Sequence, residues 1–284
     1  MNGVQYEWIC CPYCGGEEHS IFALGRELDT FRFYQNFEGF EALNFVRCQN
    51  CKLVYSNPRL KYSNTTLDDL FPGFVAQRFR QMDPESEAQC EARRRKVRCV
   101  AELVEGRPGR WLEIGCGFGQ AMRQAQQLGF SVAGTELSSG YVDYCQARGL
   151  DVRAGSVDRI EFDNSSFDVV YMEDVLEHLK QPFAFIDEVA RVLSPGGILF
   201  VHTWVIDRSS SVAEAFGPSW KADYNLDLAA HTTIFPADLL KTALIERGFR
   251  VERLDEWWGD SSPPGKRHRF WYLYCRKQGV ENSR

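Results

Sequence analysis

At 284 residues, the chain is long enough for one large domain, or for one domain with a small appendage. Hydrophobic residues make up 44% and charged residues 25%, the ordinary balance of a soluble globular protein. The net charge of −6 argues against a nucleic-acid partner, because binding phosphates needs a basic surface.

The chain starts MNGVQYEWICCPYC, with no basic segment followed by an apolar one, so no signal peptide is predicted. No apolar run approaches the ~20 residues of a membrane span. Ten cysteines in such a chain point to thiols or metal ligands rather than disulfides, and the expected location is cytoplasmic.

Five of these cysteines precede residue 52, in CCPYCGG and CQNCKLVY. Two CxxC pairs, Cys11 with Cys14 and Cys48 with Cys51, offer four soft thiolate ligands on two tight turns, the set that tetrahedral zinc prefers. Cys10 could also pair with Cys14, but CPYCG, with proline inside the turn, has the usual form of a knuckle, so Cys11 is chosen. Four sulfurs leave no open position, so the zinc would be structural. The Phe-rich segment between the pairs can form two or three short strands, giving a zinc ribbon over residues 1–60.

Residues 61–90 hold aromatic residues, a PG turn and a polar run, and are predicted to form a helical linker or lid. The next segment, to residue 106, places Val97, Val100, Ala101 and Val104 on one helical face, with its arginines on a solvated one. From residue 110 strands and helices alternate. RWLEIG, SVAGTEL, DVRAGS, FDVVYME and ILFVHTW are predicted strands. AMRQAQQLG, SSGYVDYCQARG, QPFAFIDEVARVLSPGG and PADLLKTALIERG are predicted helices, the second of them capped by Ser138 or Ser139. FRVERLDEW and HRFWYLYCRK follow without an intervening helix, so at least one should run antiparallel to its neighbour. The expected fold is a Rossmann-like, doubly wound α/β structure, with a mostly parallel sheet and an antiparallel C-terminal strand.

The first of these strands runs into the loop WLEIGCGFG. The dinucleotide fingerprint GxGxxG fails here, because Gln120 stands at its third glycine. The pattern (E/D)xGxGxG is met in full from Glu113 to Gly119. In this respect the chain resembles class I S-adenosylmethionine-dependent methyltransferases, and more closely bacterial members with an N-terminal cysteine zinc ribbon. The resemblance covers residues 91–284 for the methyltransferase domain and 11–58 for the ribbon. It extends to FDNSSFDVVYMEDVLEHL, SPGGILFVHT and HTTIFPADLLKTALIERGF, in the family's order.

The resemblance implies that S-adenosylmethionine is held by Glu113, Gly115, Cys116, Gly117 and Gly119, by Glu136 and Leu137 at the ribose, and by Glu173. Ser156 stands where the family usually has an aspartate near the adenine, which leaves the Val157 backbone amide for the ring. Methyl transfer needs alignment, exclusion of water and, for a protic acceptor, a base. His231 and His178 are the expected candidates, with Glu173 as an acid near the acceptor. His178 would share a helical face with Asp174 if that segment were helical. His202, near the end of its strand, is a further candidate, and Trp204, Trp220 and Tyr224 are candidate walls for the acceptor. The predicted function is methylation of a small-molecule acceptor, in secondary-metabolite or sugar biosynthesis. An RNA or protein methyltransferase that uses the ribbon for recognition is the alternative.

Overall fold

The computed structural model describes residues 5–27, 42–61, 87–105, 108–155, 159–216, 231–261 and 266–279. The parallel centre of the sheet is built from β6 (Arg110–Ile114), β7 (Ser131–Glu136), β8 (Val152–Ala154), β9 (Phe167–Glu173) and β10 (Leu193–Ile206). Their order is β8-β7-β6-β9-β10, and every neighbouring pair is parallel. The long β13 (Lys266–Lys277) then lies antiparallel to β10, and β12 (Phe249–Ser261) antiparallel to β13. The antiparallel C-terminal strand expected from the missing helix is therefore present.

Successive residues of the central strands face opposite layers, as strand geometry requires. Leu112, Val170, Met172, Leu199 and Val201 enter one core, together with α4 (Pro182–Val192) and α6 (Ala237–Glu246). Trp111, Val169, Tyr171 and Phe200 enter the other, beneath α1 (Glu87–Glu102) and α2 (Gln120–Gln127). On that second face Trp111, Tyr171 and Phe200 form a stacked aromatic ladder across three strands, with centroids 5.4 and 4.5 Å apart. Val97 and Val100 are fully buried there, as the helical periodicity of their segment predicts.

Helix α3 (Ser139–Gln146) follows β7, with Ser138 at its N-cap position. The expected side-chain cap is missing: the serine hydroxyl makes no capping bond, and the Ser138 N–H is taken by Glu136 instead. No helix among the described residues is long and apolar enough to cross a membrane.

Two short N-terminal strands, β1 (Tyr6–Glu7) and β5 (Arg59–Leu60), pair antiparallel as a small sheet of their own, while the other three join the main sheet. β2 (His19–Leu24), β3 (Asn44–Cys48) and β4 (Val54–Ser56) form an antiparallel meander. β4 then pairs with β11 (Thr233–Pro236), whose other edge runs parallel to the end of β10. The sequence patterning shows no such strand at 233–236, because four residues before a helix are too few to display a period. The connection after β10 carries a short helix, α5 (Val212–Phe216), in its first part. Trp220 and Tyr224 lie outside the described residues, as does most of the predicted linker at 61–90.

Candidate active site

The glycine loop leaves β6 at the carboxyl edge of the parallel strands, where open α/β sheets bind their ligands. Gly115, Gly117 and Gly119 have φ of +64°, +50° and +66°, a region that L-residues other than glycine avoid. Tight packing constrains two of them as well. A Cβ on Gly115 would lie 2.8 Å from Val175, and one on Gly119 would lie 2.5 Å from Leu150. At Gly117 nothing lies within 4 Å, so its bare backbone faces open space.

Glu136 ends β7 beside that space. Its carboxylate accepts from the Gly117 N–H (2.9 Å) and the Ser138 N–H (3.0 Å). Leu137 follows, half-buried. Cys116 is buried, and the neighbouring Cys145 thiol donates to the Gly117 carbonyl (3.2 Å). Glu113 faces inward, accepting from the Met122 N–H in the first turn of α2 (2.8 Å). Burial pushes its carboxyl up to about 8, against the opposing pull of Arg93. Ser156 and Val157 lie outside the described residues.

Glu173, expected near the acceptor, is held by helix α1. Arg93 (3.3 Å), Lys96 (2.5 Å) and the Tyr171 hydroxyl (2.7 Å) all reach its carboxylate. Burial alone would raise its pKa, but Arg93 and Lys96 outweigh burial and hold it well below the ordinary carboxylate range. The same Arg93 bonds Gln120 at the start of α2. The arginine-rich face of α1 is therefore only partly the solvated surface that the sequence predicts.

The helical-face argument for His178 does not hold. Asp174 adopts φ +54° at the strand end, and only a single 3-10 turn, Leu176–His178, follows. A different geometry brings the histidines together: the His178 and His231 rings are 4.6 Å apart, with Trp204 edge-on to His231 at 5.9 Å. His202 is separate, stacked on Phe270 and Tyr272. Its Nδ1 lies 2.9 Å from Asp174 Oδ1, without hydrogen-bond alignment. Asp174, Glu173 and His202 converge, but Arg93 and Lys96 already balance Glu173.

Sequence reasoning missed Glu177 and Thr232. Glu177 is buried, accepts from the Thr203 hydroxyl (3.0 Å), and is pushed up to about 8 by burial and by Asp174. An acid set between the apolar positions of VLEHL was the available signal. Thr232 bonds to backbone far away in sequence, which no local pattern announces.

At the N-terminus, the sulfurs of Cys11, Cys14, Cys48 and Cys51 all lie within 4.8 Å of one another. Cys11 is 3.5 Å from Cys51 and Cys14 is 3.5 Å from Cys48, while Cys10 is exposed and outside the cluster.

The sheet order, the glycine loop and the acid at the end of the second parallel strand define the class I, S-adenosylmethionine-dependent methyltransferase architecture. Residues 112–201 match the family model described as a methyltransferase domain. The ubiquinone biosynthesis O-methyltransferase of Parvibaculum lavamentivorans is 30% identical over 100 residues, 33% of this chain and 40% of that protein. The 24-methylenesterol C-methyltransferase 2 of Oryza sativa subsp. japonica is 34% identical over 125 residues, 40% of this chain and 34% of its own. The chain thus spans about two fifths of the length of the curated relatives it matches, or less. An S-adenosylmethionine-dependent methyltransferase structure from Thermotoga maritima superposes with a TM-score of 0.52 at 21% identity, covering 74% of this chain and 98% of that one, a likeness of fold.

Proposed function

We propose that the chain transfers a methyl group from S-adenosylmethionine to a small-molecule acceptor in the cytoplasm. The observation that carries this reading is the cradle at Gly117, where bare backbone faces open space beside the Glu136 carboxylate. A diol that took the place of the backbone N–H groups on Glu136 would be held by charge-assisted hydrogen bonds, as a ribose requires. S-adenosylmethionine supplies a methyl group on a positively charged sulfur, so transfer is an in-line displacement. Gly115–Gly119 and Glu136 bind and align, and His178 and His231 stand ready to take a proton from a protic acceptor. Glu173, committed to two cations, organises helix α1 over the site instead of acting as the base.

The resemblance favours a secondary-metabolite or sugar acceptor, and the relatives named for ubiquinone and sterol methylation also support a small molecule over RNA. Structural zinc fits the four cysteines, since zinc–sulfur bonds of about 2.3 Å place tetrahedral sulfurs about 3.8 Å apart, close to the 3.5 Å separations seen.

Calorimetric titration with S-adenosylhomocysteine tests the reading. Micromolar binding is expected, weakened about a hundredfold in Glu136→Ala through loss of charged hydrogen bonds. Absence of binding to the folded, zinc-loaded chain would refute it. Metal analysis should find one zinc per chain, lost in Cys51→Ser.

A further inference from the structure

The cysteine cluster and the histidine pair are joined by a continuous set of backbone contacts. The second knuckle closes with Lys52 N–H to Cys48 O (3.1 Å) and Cys48 N–H to Leu53 O (2.9 Å), and leads directly into β4. In β4, Val54 and Tyr55 pair with Ile234 and Thr233, and the Ser56 N–H donates to the Thr232 carbonyl (2.9 Å). Thr232 in turn holds the turn that carries His178. Its N–H donates to the Glu177 carbonyl (2.8 Å), and its hydroxyl lies within bonding reach of the carbonyls of Leu179 (2.6 Å) and Glu177 (3.2 Å). His231 is the residue immediately before Thr232.

A second grip comes from the same N-terminal unit. Arg59 donates to the Lys180 carbonyl (2.7 Å) and pairs with Glu7, which also pairs with Lys180 (3.4 Å). Cys11, Cys48, Leu53 and Tyr55 share one apolar core with Leu176 and Leu179. The turn at 176–180 is thus held from both sides by residues of the cysteine unit or residues paired with it.

The geometry points to Thr232 as a positioning residue, and to the four-cysteine unit as the anchor that, through β4 and Thr232, sets His178 against His231. The ribbon is then one wall of the acceptor end of the site. That the histidine pair faces an acceptor rests on the reading given above. The coupling between the cysteines and the pair rests on the contacts alone.

Diethyl pyrocarbonate modification of each histidine, followed by peptide mass spectrometry, reads this coupling without any acceptor. Removing zinc from the full chain should make His178 and His231 react roughly fivefold faster or more, as a locally opened segment does. His202, held in the aromatic stack, serves as the internal control and should keep its rate. Affinity for S-adenosylhomocysteine should stay within about twofold, because the glycine loop lies outside the network. In the zinc-loaded chain, Thr232→Val should give the same acceleration at His178 with the zinc content intact, and Thr232→Ser should restore the slow rate. The inference is overturned if His178 and His231 keep their rates in Thr232→Val. It is also overturned if metal removal exposes His202 equally and abolishes cofactor binding, since the coupling would then be global unfolding. A loaded chain that never binds S-adenosylhomocysteine, yet shows the histidine response, would sink the methyltransferase reading and leave this one standing.

Discussion

Glu113 offers a direct test of the site's electrostatics. Its carboxyl is buried beneath the glycine loop with a single backbone donor, Met122 N–H, and titrates near 8 in the folded chain against an ordinary 4.5. The folded state therefore keeps a proton that the unfolded state has released between these limits. Stability from this group is fully present below about pH 4.5 and is lost as pH rises towards 8. Each pH unit in that window removes about 1.4 kcal/mol, so roughly 4 kcal/mol separates pH 5 from pH 8. Glu113→Gln keeps an acceptor for Met122 and removes the proton. Urea unfolding followed by tryptophan fluorescence at pH 5, 6, 7 and 8 should show a steeper loss of stability in the native protein than in the variant. Equal slopes would refute the buried, protonated carboxyl.

Three further outcomes are expected. Gly119→Ala should lower stability by about 2–4 kcal/mol in the same assay, combining the left-handed conformation with overlap on Leu150. Gly117→Ala has no such overlap and should cost only about 1–2 kcal/mol, while calorimetry should show S-adenosylhomocysteine affinity reduced at least about tenfold as the methyl fills the cradle. Arg93→Met should cost about 3 kcal/mol by leaving a largely buried Glu173 with less compensation. Because Arg93 and Lys96 hold Glu173 below its ordinary 4.5, that contribution exists above the unfolded value and fades as pH falls, so the variant's deficit should shrink under acid.

What could be read from the sequence follows from how local each feature is. The glycine loop, the acid ending β7 and the paired cysteines are set by residues a few positions apart, and each appears where the spacing predicts. The alternating strands were equally plain, because buried parallel strands are continuous apolar runs. Thr232 holding the turn at 177–179, and Arg93 reaching Glu173, depend on residues 55 and 80 positions apart. Such contacts exist only once the sheet has formed. For Glu173 the sequence indicates its place at the strand end correctly, but says nothing of the two cations that claim it. For His178 the helical face expected to be shared with Asp174 was a false premise: the segment is a single 3-10 turn, and its ring lies against His231 instead.

The pairing of β4 with β11 also bears on how the chain is made. Val54 meets Ile234, so β4 waits for a partner some 180 residues downstream. At synthesis rates of about 5–20 residues per second, that wait lasts about 10 to 40 seconds. Throughout it the meander carries an open strand edge, the kind of surface on which nascent chains aggregate. Early closure of the cysteine knuckles around a metal would keep this edge short and rigid until its partner emerges.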